Sequence, residues 1–129
     1  MGNTTLLLFH MTSTTKDIDL PGGRIPHHGP TAPLLELLKP PTASPNGTAT
    51  LEPGTKVPPM AAPSNSLQQH YCLGVRDRAD VDRWEAWFKE KNVKTLGTME
   101  WERGGRSVYF EDPDGHIGEV GSRGIWEHY

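Results

Sequence analysis

The stretch "RGGRSVYFEDPDGHIGEVGSRGIWEH", residues 103–128, decides the fold, because it predicts a hairpin connection, a strand, a second tight turn and another strand. The segment "ERGGR" carries the glycines of a hairpin, and "DPDG" is a turn that begins at a proline. On the last strand Ile117, Glu119 and Gly121 share one face. Glu119 stands in a run with hardly another charge. Burying its carboxylate is costly, so we expect a cation or a hydrogen-bond donor to face it.

Upstream of this stretch, the sequence predicts another strand and a helix. In "LQQHYCLGV" bulky and small side chains alternate, which is typical of a strand. The bulky face carries Tyr71, Leu73 and Val75, and the other face carries His70, Cys72 and Gly74. After the turn "RDRAD", the segment "VDRWEAWFKEKN" predicts a helix with Asp80 as its N-cap. The apolar stripe of this helix, which we expect in the core on the bulky face of the sheet, consists of Val81, Trp84, Trp87 and Phe88.

The predicted order is therefore strand, helix and three antiparallel strands, because "VKTLGTMEW" and "SVYFED" flank the hairpin. Such a βαβββ module is an α+β fold. If Val108 and Phe110 lie under the helix, the opposite face of the sheet is left uncovered. Small or polar side chains then line one concave surface: Ser107, Tyr109, Glu111, His70 and Glu119.

Composition limits the function. The chain has 129 residues with 14 Gly and 12 Pro, so a good part of it is irregular. A net charge of -3 with mixed signs offers no basic stripe, which argues against nucleic acid as a partner. The apolar cluster at residues 6–9 is too short for a secretory or membrane segment. Cys72 is the one cysteine, so no internal disulfide forms, and we expect a soluble, cytoplasmic protein with no membrane partner.

The chain divides into three predicted parts. Residues 1–30 carry a buried strand, Thr4–Met11, without a neighbouring partner, followed by a polar loop in which "PGG" and "PHHGP" mark tight turns. Residues 31–66 form a Pro-rich insertion or linker, in which "LLELLK" predicts one helical turn or a short strand. Residues 67–129 form the βαβββ module.

The element order, together with "HYCLGV" and "GGRSVYFEDPDGHIGEV", resembles the vicinal oxygen chelate superfamily of glyoxalases, extradiol dioxygenases and bleomycin- or fosfomycin-resistance proteins. The resemblance implies that two such modules pair to curl a sheet around a divalent metal, either Fe(II), Mn(II), Zn(II) or Ni(II). It also implies two ligands in this module, a His on the first strand and a Glu on the last. These positions are His70 and Glu119. Residues 1–30 then resemble only a remnant of a first module, so either the rest of that module is missing here or a partner subunit, as in a homodimer, completes the barrel.

Further residues are candidates for the site. His27 and His28 could supply a third ligand, although a "PHHGP" loop is more often an exposed turn. We expect Glu119 and Tyr109 to be catalytic, and we expect the substrate to be bound by Arg106, Ser107 and Tyr109. Cys72 fits packing better than nucleophilic attack, because no base is evident beside it.

Three functions remain open from the sequence. The first is a metal-dependent enzyme that binds a small substrate through vicinal oxygens, with lyase, isomerase or dioxygenase chemistry. The second is a metal-free module of the resistance-protein kind that binds a small molecule between paired subunits. The third is a truncated, inactive fragment of the superfamily. Metal content and oligomeric mass separate the three.

Overall fold

The computed structural model describes residues 13–31, 34–35 and 67–127. The predicted strand Thr4–Met11 and most of the Pro-rich segment lie outside this range. Within "LLELLK" the two described residues, Leu34 and Leu35, are helical. The regular elements are β1 (Ile18–Leu20), β2 (Gly23–Ile25), β3 (Gly29–Pro30), β4 (Leu67–Gln68), β5 (His70–Val75), α1 (Arg78–Glu90), β6 (Thr95–Glu100), β7 (Arg106–Glu111) and β8 (Ile117–Ser122).

Six of the strands form one mixed sheet in the order β1-β2-β6-β7-β8-β5. Strands β5 and β8 are parallel, and the other neighbours are antiparallel. The sequence β5-α1-β6-β7-β8 confirms the predicted βαβββ order and the α+β class. No helix in the described part of the chain is long and apolar enough to cross a membrane.

The turns around β7 form as the quoted stretch predicts. In the hairpin between β6 and β7, the backbone N–H of Trp101 donates to the Gly105 carbonyl at 2.9 Å, and the Gly104 N–H donates to the Trp101 carbonyl at 2.9 Å. In the next turn, the Asp112 carboxylate accepts hydrogen bonds from the N–H groups of Asp114 and His116. Both connections are thereby closed by short local hydrogen bonds.

The helix begins earlier than predicted. Asp77, with an extended backbone, is its N-cap, and the Asp77 carboxylate accepts a hydrogen bond from the Asp80 N–H at 3.0 Å. The prediction of Asp80 as the cap is therefore wrong. Asp80 lies in the first turn of the helix, where its carboxylate pairs with Arg83.

Half of the predicted helix stripe is in the core. Val81 and Phe88 are buried against the sheet, whereas Trp84 and Trp87 are 38% and 46% exposed, so their placement in the core is wrong. Trp87 projects to the side because, at 3.6 residues per turn, it lies roughly 100° from the line through Val81 and Phe88. The sheet side chains that pack against this helix are Val75, Val108, Phe110 and Val120.

The N-terminal region contributes a hairpin where the sequence predicts a polar loop. Strands β1 and β2 pair with each other, and β2 continues the sheet through Gly23 opposite Met99. The glycines of "PGG" allow this approach, because a Cβ on Gly22 would lie 2.0 Å from the Glu100 carbonyl oxygen. The loop prediction is therefore wrong for residues 18–25, although the predicted turn is present.

A second, two-stranded sheet pairs β3 with β4, with Gly29 opposite Gln68. The N–H of His28, just before β3, donates to the Thr14 carbonyl at 2.9 Å. Because β4 leads into β5, this small sheet brings the "PHHG" segment next to His70. The limits of the three predicted parts of the chain remain predictions.

Candidate functional site

The face of the sheet opposite the helix collects the polar side chains that the sequence places there. Parallel pairing of β5 with β8 sets Cys72 opposite Glu119, and antiparallel pairing of β7 with β8 sets Tyr109 opposite Glu119. Ser107 lies two residues from Tyr109 on the same face. The central strands therefore supply a carboxylate, a phenol and a hydroxyl, and β5 supplies His70 at the edge.

His70 and Glu119 meet directly. The Nε2 atom of His70 lies 3.1 Å from Oε2 of Glu119, and the two side chains are 20% and 3% exposed. The two atoms lack the alignment of a hydrogen bond, and among the described residues Nε2 of His70 has no hydrogen-bond partner. The buried Glu119 carboxylate thus faces the His70 imidazole, and no hydrogen bond joins the two groups.

The other carboxylate oxygen of Glu119 is engaged by a hydroxyl. Ser107 Oγ donates to Oε1 of Glu119 at 2.5 Å, and the Ser107 side chain is fully buried. The indole Nε1–H of Trp101 donates in turn to Ser107 Oγ at 2.9 Å. Sequence reasoning missed Trp101, because nothing in the pattern shows which acceptor an indole N–H will find. The sequence signal that could have found Trp101 is its position directly after β6, opposite the start of β7, which carries Ser107.

The distance between His70 Nε2 and Glu119 Oε2 is one that two ligands of a single metal ion can have. Ligands at about 2.1 Å from one metal and at right angles to each other lie about 3.0 Å apart. The observed distance from His70 Nε2 to Glu119 Oε2, 3.1 Å, matches that separation. Within residues 13–31, 34–35 and 67–127, however, no group of three or more His, Cys, Asp or Glu side chains is placed to hold one ion. Two side chains of the kinds that bind metal ions therefore lie in contact here, without a third from the described residues.

His28 lies beside His70. Its side chain is 9% exposed, and its ring centroid is 4.4 Å from that of His70. Nδ1 of His28 lies 2.9 Å from the Pro26 carbonyl oxygen, an acceptor only, so Nδ1 carries the proton. Burial lowers the pKa of His28, and the neutral ring is favoured. His27 is instead 55% exposed and pairs with Asp17 at 2.7 Å.

Tyr109 and Cys72 are both held in their protonated forms. Tyr109 is 1% exposed, with its ring centroid 6.0 Å from that of His70. Burial, with the Glu119 charge as a second cause, raises the pKa of the Tyr109 phenol well above its ordinary value. Cys72 is an exposed residue, but partial burial of its thiol and then the Glu119 charge raise the pKa of that thiol to about 12. A thiol with this pKa is a poor nucleophile at neutral pH.

Arg106 does not reach the site. Its guanidinium forms ion pairs with three carboxylates, at 2.9 Å from Glu100, 2.7 Å from Glu85 and 3.1 Å from Asp82. Two of these acids belong to α1, so Arg106 lies on the helix side of the sheet, the side that also carries Val108. The sequence-based role of Arg106 in substrate binding is therefore not retained. The roles assigned to the other site residues remain predictions.

Comparisons with known proteins cover about half of the chain. No family model and no curated protein matches it. A lactoylglutathione lyase from Agrobacterium tumefaciens is 35% identical over 46% of this chain and 45% of its own, with a TM-score of 0.45. The fosfomycin resistance protein FosX from Mesorhizobium loti is 28% identical over 46% of this chain and 48% of its own, with a TM-score of 0.38. The chain spans about half the length of these two proteins.

Proposed function

We propose that this chain is a glyoxalase-like protein of the vicinal oxygen chelate type, in which His70 and Glu119 bind a divalent metal ion. The observation that carries the proposal is the 3.1 Å approach of His70 Nε2 to Glu119 Oε2 without a hydrogen bond between them. The resemblance of residues 67–129 to that superfamily independently assigns the same two positions as ligands. A neutral imidazole and a carboxylate suit Fe(II), Mn(II), Zn(II) or Ni(II).

The substrate class is the one that the superfamily resemblance implies. A bound metal would act as a Lewis acid toward two vicinal oxygens of a small substrate. Ser107 donates to one oxygen of the Glu119 carboxylate, and the other oxygen faces His70. The protonated Tyr109 offers a donor on the same face, whereas His28 is not placed to share one ion with His70 and Glu119. Lyase, isomerase and dioxygenase chemistry all fit such a site.

Two ligands do not complete a metal centre, which commonly has three or four from protein. We propose that a second copy of the chain supplies the remainder, so that the active form is a homodimer. The metal would then lie between two sheets, each contributing the face that carries Glu119.

The test is a titration of the metal-free protein with Co(II), followed by visible absorption. We expect about one Co(II) ion per dimer, at the site that two chains share. We expect His70→Ala and Glu119→Gln to abolish binding because each removes a ligand. His27→Ala is the matched control, since it removes an imidazole that is exposed and paired with Asp17.

Two outcomes would contradict the proposal. Wild-type protein that binds no cobalt would leave His70 and Glu119 as a buried structural pair. Metal-free binding of a small molecule and an inactive fragment would then be the two readings left. Binding that survives in His70→Ala and is lost in His27→Ala would put the ion at a different place.

A further inference from the structure

A chain of hydrogen bonds connects the hairpin before β7 to the candidate site. The Trp101 indole donates to Ser107, and Ser107 donates to Glu119. An indole nitrogen can only donate, so Ser107 Oγ must accept from it. The single hydroxyl proton of Ser107 is then directed at Oε1 of Glu119. The direction of both hydrogen bonds is fixed by chemistry at the two ends, since a carboxylate can only accept.

Trp101 is itself held in place. Its backbone N–H donates to the Gly105 carbonyl, and its carbonyl accepts from the Gly104 N–H, so the hairpin turn fixes its main chain. Its ring packs near Trp126, with centroids 6.2 Å apart. It also packs against the buried cluster that contains Met99. Because its main chain and its ring are both held in place, Trp101 can orient the hydroxyl group to which it donates.

We infer that Trp101 and Ser107 are positioning residues, which keep Oε1 of Glu119 engaged and leave Oε2 turned toward His70. This inference rests on the proposed metal-binding function, and it names the residues that shape that site. With Oε1 occupied, the carboxylate would bind a metal through Oε2 alone. Partners of this kind, which orient a metal ligand without touching the metal, typically contribute tenfold or more to affinity.

The experiment measures Co(II) affinity and the Co(II) visible spectrum in the full chain for four proteins: wild type, Trp101→Phe, Ser107→Ala and the double variant. Phe keeps the ring packing and removes the N–H. We expect each single variant to weaken binding by about tenfold and to alter the spectrum, because the carboxylate loses its fixed orientation. Trp87→Phe is the matched control, since Trp87 lies on the helix side of the sheet.

The double variant separates positioning from packing. If Trp101 acts through Ser107, its N–H has nothing to orient once Ser107 is Ala, so the double variant should bind as weakly as Ser107→Ala. Additive losses would show that Trp101 acts independently of Ser107 and would overturn the inference. Denaturant midpoints of all variants establish that the comparison is made on folded protein.

A measurement without metal tests the same hydrogen bonds. The four tryptophans give four indole N–H signals in a proton–nitrogen NMR spectrum, and Trp101→Phe identifies the one from Trp101. We expect this signal to move in Ser107→Ala, because its acceptor is lost. A signal that stays in place would overturn the inference.

The two levels of failure are distinguishable. Wild-type protein that binds cobalt, with an unchanged affinity in Trp101→Phe and Ser107→Ala, would overturn the positioning role and leave the metal site intact. Wild-type protein that binds no cobalt would overturn the proposed function and this inference together.

Discussion

Glu119 is the residue on which the proposed chemistry depends, and its surroundings explain how a carboxylate can be 3% exposed. One oxygen accepts a hydrogen bond from Ser107, and the other faces His70. An isolated buried carboxylate would cost several kcal/mol, and the hydrogen bond from Ser107 offsets part of that cost. Removing either partner is therefore expected to affect stability and binding together, which is why each binding test carries a folding control.

Cys72 gives a prediction at the same scale. The pKa of its thiol is raised from 9.0 to about 12 in the folded protein, mainly by burial and then by Glu119. Above pH 9.0, the ordinary pKa of the thiol, the unfolded chain loses the thiol proton while the folded chain keeps it. The free energy of unfolding therefore falls as pH rises. This contribution is fully present below pH 9.0 and is lost between pH 9.0 and about 12.

The measurement is the urea midpoint of metal-free protein across this alkaline range, for wild type and Cys72→Ala. We expect the midpoint of the wild type to fall more steeply than that of the variant, because Ala has no proton to lose. Parallel curves would mean that the thiol titrates alike in the folded and unfolded chains.

Among the elements, the module β5-α1-β6-β7-β8 was predictable because its signals are local. Alternation assigned the faces of β7 and β8, and "DPDG" and "ERGGR" fixed the turns. The contact between His70 and Glu119 was predictable only through the family resemblance, because the two residues are 49 positions apart in the sequence. Spacing alone does not reveal that β5 and β8 are neighbours.

The errors among the elements have physical causes. The sequence predicts Asp80 as the N-cap, but Asp77, three residues earlier, has the extended backbone of a cap and accepts from the Asp80 N–H. The strands β1 and β2 have three residues each, too few for a period of two to be recognised. Trp84 and Trp87 are apolar enough for a core, but one helix covers only a narrow strip of the sheet.

The docking of the β1–β2 hairpin gives a prediction at this scale. Gly22→Ala should detach β2 from β6, because the new Cβ would lie 2.0 Å from the backbone oxygen of Glu100. Amide hydrogen exchange reports this directly, since the Glu100 N–H donates to the Gly22 carbonyl at 2.8 Å. We expect much faster exchange at Glu100 in the variant.

Gly104→Ala is the matched control for this change. A Cβ at Gly104 meets nothing within 4 Å, although its φ of 85° makes any side chain strained by about 1–2 kcal/mol. The control should lower stability modestly and leave exchange at Glu100 slow. Slow exchange at Glu100 in Gly22→Ala would show that the hairpin does not depend on this close approach.

For the whole molecule, the proposed metal site predicts that metal and assembly are linked. If ligands from two copies bind one ion, cobalt binds the dimer in preference to the monomer and shifts the population toward it. Light scattering should then show a mass approaching twice that of the chain as cobalt is added. Glu119→Gln should show no such shift, and a wild-type monomer that holds cobalt at every concentration would refute assembly through the metal.

The most direct test of the account is anomalous diffraction at the cobalt edge from crystals grown with Co(II). We expect one strong peak shared by two copies, at about 2.1 Å from Nε2 of His70 and Oε2 of Glu119 of each copy. A cobalt peak elsewhere, with no density between these two atoms, would contradict the account.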